Sequence, residues 1–129
     1  MGQPIATKGP GICFAFPDVC LTPAPPSPSP VPVPYPNIGM LSDATGTASS
    51  VKAGGNEVIT QDSSISTTTG DEAGTSHATT KGEVRFVTFS GTVRAEGSFV
   101  VRMFDTTTQN AGNAVGQVLG GVPTVLVGG

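Results

Sequence analysis

The sequence predicts an all-β protein, a compact, tapering, turn-rich structure of short strands and hairpin repeats, and three observations carry that prediction. First, Gly, Pro, Ser and Thr are abundant while charged residues make up only 12% of the 129-residue chain, and clusters of Val, Ile and Phe argue against disorder. Second, the decapeptide from Ser50 to Ile59 repeats as Thr92 to Val101 in the form V-[K/R]-A-x-G-x-x-V-[I/V]. Third, nine of the twelve prolines fall between Phe16 and Met40, where helix interiors and central strands are ruled out.

Length fits one domain over residues 1–129, and an aromatic content of 5% without tryptophan limits its core to a thin one. The net charge of −3 and the singly scattered Lys and Arg give no basic patch, which speaks against nucleic acid and against an anionic membrane surface. The apolar run Ile12 to Phe16 is too short for a secretory leader, and no run approaches bilayer length.

In chain order, Gly9, Pro10 and Gly11 separate two short extended pieces around Ile5 and Ile12 to Phe16, a strand pair or a sheet edge. The proline-rich stretch covers residues 17–36. Fixed φ values give it an extended, polyproline-type path, which suits either a ligand or linker for another protein or a wall built into the fold. Asn37 to Thr47 reads as a turn-rich connection and ordered structure resumes near Ser49. Each repeat copy then reads as a hairpin, with Gly55 or Gly97 in the turn between a Val, basic, Ala strand and a β-branched return. A third start, Thr124 to Gly129, stops where its turn would begin. The Ser/Thr tract from Thr60 to Lys81 offers little to a core, whereas Val84 to Phe89 alternates as a strand. In the Gly-rich tail, 111–129, a helix has room only between Ala111 and Leu119.

Candidate chemistry is sparse. His77 is the single histidine and sits in the hydroxyl-rich tract without an orienting partner, so it reads as a loop residue and catalysis is not expected. Asp71 and Glu72, in a glycine-bounded turn, read as turn formers on a solvated face. Cys20, Cys13 and His77 could fill three positions of a tetrahedral metal site, although the C-x6-C spacing is not that of a zinc knuckle. On redox grounds the two cysteines read as free thiols rather than a disulfide. Asp105 is placed to pair with Arg102 or to cap the following turn.

Several stretches together resemble the PAAR-like domain family of bacterial type VI secretion spikes: Ala15 to Pro23 with its Phe16-Pro17-Asp18-Val19-Cys20, Pro34-Tyr35-Pro36-Asn37-Ile38, Gly70 to Thr75, Lys81 to Val84, and Val93 to Asn110 with its Gly97 to Asp105. They occur in order over about residues 3 to 113. In the last stretch Val100 and Val101 stand where the family name's alanines stand, and Arg102 and Asp105 are retained. The resemblance implies a small β cone without enzyme activity, with residues 17–36 as a long ordered proline-rich strap inside the domain, that caps and sharpens a trimeric VgrG-type needle and helps deliver effectors. It implies assembly in the bacterial cytoplasm, ejection by the apparatus without a signal peptide, and no stable membrane insertion. It also implies a zinc or iron ion near the apex, with Cys20 matching the family cysteine. The family's Thr-His-Asn triplet reads Thr108-Gln109-Asn110 here, so the matching histidine is missing. With the sequence ending at Gly129, no fused toxin is expected, and a toxin effector would associate as a partner. The other reading is a proline-rich binding module that recruits an effector or an aromatic-groove partner.

Overall fold

The computed structural model describes residues 2–26 and 28–128; Met1, Ser27 and Gly129, and with them one residue each of the expected strap and tail, lie outside the described residues. The described residues form thirteen strands: β1 (Gln3–Ile5), β2 (Ile12–Thr22), β3 (Val31–Met40), β4 (Ala44–Thr45), β5 (Ala48–Ala53), β6 (Asn56–Val58), β7 (Ser64–Ile65), β8 (Val84–Phe86), β9 (Arg94–Ala95), β10 (Ser98–Phe99), β11 (Thr106–Gln109), β12 (Ala114–Leu119) and β13 (Val122–Val127). Helix is confined to one 3-10 turn, Leu41–Asp43, among the described residues. Seven strands form one sheet in the order β3-β2-β12-β11-β8-β7-β4, and three two-stranded ribbons, β5·β6, β9·β10 and β1·β13, complete the architecture.

The two repeat copies fold alike. In each, the two turn residues have positive φ, Gly54 60° and Gly55 85° in one, Glu96 52° and Gly97 85° in the other, the backbone of a type I′ hairpin. Ala53 pairs with Asn56 and Lys52 with Glu57 in the first; Ala95 pairs with Ser98 and Arg94 with Phe99 in the second. Glu96 takes a left-handed conformation without being glycine, and its carboxylate accepts hydrogen bonds from the backbone N–H and hydroxyl of Ser50 in the other hairpin.

Beyond the hairpins, three segments close a ring of backbone hydrogen bonds. Ala6 N–H donates to Val101 O (2.9 Å), Val101 N–H to Ile59 O (2.9 Å), and Ile59 N–H to Ala6 O (3.0 Å). A second set closes the same three segments in the opposite donor-to-acceptor sense, with Lys8 N–H to Glu57 O (2.9 Å), Gln61 N–H to Phe99 O (2.8 Å) and Met103 N–H to Pro4 O (2.8 Å). Every bond in each set has two counterparts related by one cyclic permutation of the segments, so the backbone is pseudo-threefold. Side chains follow it: Ile5, Val58 and Val100 are buried together, as are Ala53, Ala95 and Val127. Small β-branched and alanine side chains suit this arrangement, because three chains converging on one line leave no room for aromatics. Ala6, Ile59 and Val101 then join the apolar core beneath the sheet, with Cys13, Leu41, Ile65, Val84, Phe86 and Val118.

The proline segment belongs to the sheet. From Val31 to Met40 it is an edge strand whose pairing with β2 runs from Ile12↔Met40 to Thr22↔Val31. Ile38 exchanges both backbone hydrogen bonds with Thr69 on the side away from β2, at 2.8 and 2.9 Å. Backbone groups alternate along a strand, so Pro32, Pro34 and Pro36 also turn their nitrogens to that outer edge, where no N–H is needed. The prolines thus cost the ladder nothing and leave the outer edge without donors for another strand. The expected polyproline-type strap is therefore two paired strand segments, 17–22 in β2 and 31–36 in β3 with Pro32, Pro34 and Pro36 on one side, and of the described residues between them 23–26 and 28–30 lie outside the strands.

Three further expectations are corrected. The helix between Ala111 and Leu119 is strand β12: Ala114, Gly116 and Val118 are buried and Val115, Gln117 and Leu119 exposed, a period of two, and the left-handed Asn110, Ala111 and Gly112 make the turn from β11. Asn37 is not in a turn but buried within β3. The Ser/Thr tract does contribute to the interior, burying Ser63, Ile65, Thr68 and Asp71.

Because Ile59 links the backbone ring to the apolar core, Ile59→Ala is expected to cost about 2–5 kcal/mol of unfolding free energy. Exposed Lys52→Ala should change it by no more than about 0.5 kcal/mol. Urea titrations of the two variants check this, and a similar small loss in both would contradict a packed ring.

Candidate functional site

At the far end of the sheet from the ribbons, β2 changes the face it turns inward. Cys13 and Ala15 are buried on one parity, Asp18 and Cys20 on the other, with Phe16 and Pro17 exposed between them. The switch is a bulge: Ala15 pairs with Asn37, but the next pair is Asp18 with Tyr35, so β2 carries one extra residue. Pro17, which cannot donate to a ladder, sits in it. Without the bulge Val19 and Leu21 would point inward; with it, a carboxylate and a thiol do.

Around them converge Asp71 from the Ser/Thr tract, Asn37 from β3, and Asn110 and Asn113 from the β11 to β12 turn. Asn113 Nδ2 donates to Asp18 Oδ1 at 2.6 Å and Asn110 Nδ2 to the same oxygen at 3.2 Å. Asn37 Nδ2 donates to Asp18 Oδ2 and to Asp71 Oδ2, both at 3.3 Å. Asp71 Oδ1 accepts the Lys81 N–H at 2.9 Å. Other bonds fix the amide orientations: Asn110 Oδ1 accepts the Gly82 N–H at 3.0 Å, and Asn37 Oδ1 accepts from Gln109 Nε2 at 2.9 Å. Among the described residues no buried side-chain nitrogen or oxygen lacks a partner.

The electrostatics are unusual for so small a chain. Burial works to raise Asp18, but hydrogen bonds from Asp71, Asn113, Asn110 and Cys20 outweigh it and hold this carboxyl below its ordinary range. Burial and the adjacent Asp18 push Asp71 up to about 6. Burial and the two carboxylates push the Cys20 thiol up to about 12, and its Sγ–H lies 3.5 Å from Asp18 Oδ1. Three anion-forming groups thus meet with only amides to compensate them. Their ligand atoms lie within 4.8 Å of one another, so Asp18, Cys20 and Asp71 could hold a metal ion. One thiol and two carboxylates form a donor set suited to a borderline divalent cation, and such a charge would relieve both the raised thiol and the carboxylate pair.

Of the residues singled out in the sequence, Cys20 and Asp18 are in this cluster; Cys13 and His77 are not among its metal donors. Cys13 is a free thiol in the apolar core, with burial pushing it up to about 12. Cys20 is likewise unpaired. His77 Nδ1 accepts the Leu21 N–H at 3.4 Å, and Nε2 lies 3.1 Å from Asn113 Oδ1, so the ring borders the cluster through an asparagine. Tyr35 bonds Thr22 through its hydroxyl at 2.6 Å, the exposed Pro34 and Pro36 line the sheet edge, and Phe16 is largely exposed. Arg102 and Asp105 form a bidentate ion pair, at 3.0 and 3.1 Å, that closes the turn after the backbone ring. Gln109, in the place of the family's histidine, spends its amide on Cys13 O, Asn37 O and Asn37 Oδ1 rather than on Asp18, Cys20 or Asp71.

A model of the Toxin PAAR-like domain family matches residues 11–116. The chain belongs to that family. It is also 39% identical over 114 residues to the DNase toxin Tse7 of Pseudomonas aeruginosa, a match that takes in 81% of this chain and 29% of Tse7. No solved structure matches. The stretches that carry the PAAR-like resemblance are the ones that build the cluster: FPDVC supplies Asp18 and Cys20, PYPNI Asn37, GDEAG Asp71, KGEV the Lys81 N–H, and the triplet at 108–110 supplies Asn110. Asp71, Asn37, Asn110 and Asn113 were not legible as site residues, since an acid between glycines and single asparagines read equally well as turn formers.

Asp71 gives a pH test on metal-free protein. Its folded pKa lies above the ordinary 3.8, so the stability it contributes is full below about pH 4 and is lost as pH rises through about 6. Asp71→Asn should therefore gain stability relative to the parent between pH 4.5 and 7.5, in urea titrations with chelator. Parallel pH profiles for the two proteins would contradict the assignment.

Proposed function

We propose that the chain is the structural tip of a contractile secretion spike, seated on the blunt end of a trimeric VgrG-type needle and leaving the bacterial cytoplasm with it. The observation that carries this reading is the pseudo-threefold backbone ring and its matched hairpins. A single chain can cap a trimer without wasted contacts only if it offers each subunit a similar surface. Family membership supports a part in effector delivery, and the partial match to a DNase toxin supports a toxin as the delivered partner. In this reading the chain contributes architecture, and nuclease activity belongs to Tse7. No helix among the described residues is long and apolar enough to cross a membrane.

The metal centre fits the same role. Asp18, Cys20 and Asp71 would hold zinc or iron, which would supply positive charge to a buried anionic cluster and tie β2 to the Asp71 loop. The proline residues of β3 are accounted for by the sheet edge they protect, which leaves the adaptor reading the described residues 23–26 and 28–30 outside the strands.

Co-purification of the chain with a VgrG-type trimer tests the proposal, and a folded chain that forms no stable complex contradicts it. Elemental analysis should find about one zinc or iron per chain, lost in Cys20→Ser; a metal-free parent purified without chelator would remove the metal centre.

A further inference from the structure

The seven-stranded sheet has a second face. One side of its strands packs on the core, but the other side of the neighbouring strands β3, β2 and β12 is largely open to solvent. β2 turns Ile12, Phe14, Phe16, Val19 and Leu21 outward, and the bulge at Pro17 is what brings Val19 and Leu21 to the same side as Phe14. β12 adds Val115, Gln117 and Leu119. β3 adds Pro32, Pro34, Pro36, Ile38 and Met40. The register sets them in rows: Ile12 lies between Met40 and Leu119, Phe14 lies between Ile38 and Gln117, and Val19 and Leu21 face Pro34 and Pro32.

An antiparallel sheet with one wet face alternates apolar and polar residues. Here the outward parity is apolar too: of these thirteen positions one is an amide and none is ionisable. Phe16 is 58% exposed and Val115 63%. A phenylalanine side chain of about 200 Å² exposed to that extent presents roughly 120 Å² by itself. With its neighbours the face comes to the order of 900 Å², above the roughly 300–600 Å² of the largest patch on an ordinary monomer. Each partner of a stable dimer buries about 800 Å².

Three features of the face select what covers it. A charged group set against Phe14 and Val115 would lose its hydration without a partner, so the covering surface is uncharged. Pro32, Pro34 and Pro36 leave the β3 edge without donors, so the covering surface lies flat on the sheet instead of extending it. Gln117 needs one group that can both accept and donate. The same face of a second copy has all three properties, because an amide satisfies its own counterpart across a two-fold axis.

We propose that the chain forms a homodimer through the outward face of β3, β2 and β12, two copies packing sheet on sheet about a two-fold axis. None of the face residues belongs to a ribbon, so the dimer leaves β5·β6, β9·β10 and β1·β13 free and stands apart from the spike-tip reading.

Sedimentation equilibrium of the full chain between about 1 and 100 μM tests the proposal. The parent should approach twice the chain mass at the upper end. Phe16→Asp and Val115→Asp should each raise the dissociation constant about tenfold or more, with circular dichroism confirming the fold. Should either variant fail to fold, Phe16→Ser and Val115→Ser replace them and should weaken association in the same direction. Leu126→Asp, which alters an exposed apolar side chain on β13 instead, should leave the dimer intact. A parent that stays monomeric at about 100 μM overturns the proposal. So does a dimer that the folded Phe16 and Val115 variants leave intact or that Leu126→Asp dissociates, and so does open-ended association, since a two-fold contact closes at two copies. No needle protein enters these measurements, so their outcome is independent of needle capping.

Discussion

Three backbone segments that each exchange hydrogen bonds with both of the others set the terms for the rest of this fold. Such a ring has no inner edge, so its strands can be very short and still have their inward peptide groups paired. A net contribution of about 1 kcal/mol per hydrogen bond would not hold it alone. The alanine, valine and isoleucine side chains that meet along the axis add apolar burial without bulk. This explains how a chain poor in aromatics has a packed interior, and why Gly55 and Gly97 recur at the hairpin turns.

The other end of the molecule is organised by buried charge. One extra residue at Pro17 turns Asp18 and Cys20 inward, and three asparagines, one from β3 and two from the β11 to β12 turn, then tie the strands and the Asp71 loop together. Removing one partner would leave another buried polar group unsatisfied, which makes the network demanding of sequence in a way that the apolar core is not. The two ends differ in construction: the ribbons repeat one backbone arrangement around an axis, and the cluster fixes a loop-rich region that has little hydrophobic area to hold it.

Much of this was legible in the sequence. Repetition at Val51 and Val93 marked two hairpins, and the alternation of Val84 and Phe86 marked a core strand. What was missed depended on register and on long-range contact. The period-two burial of Ala114, Gly116 and Val118 was hidden because two of these residues are too small to read as a buried face. The proline strand looked like a strap because single-residue propensity cannot see that Pro32, Pro34 and Pro36 share one outer edge. Asp71 read as a turn acid because its partners lie at positions 18, 37 and 81. The third repeat was split between the two ends of the chain, where a linear scan for periods stops.

The central claim, that one chain reproduces threefold geometry in order to meet a threefold partner, is tested most directly by the mass of the complex with a VgrG-type trimer in solution. The account predicts one chain per needle trimer at saturation. Three chains per trimer, each on its own subunit, would contradict it.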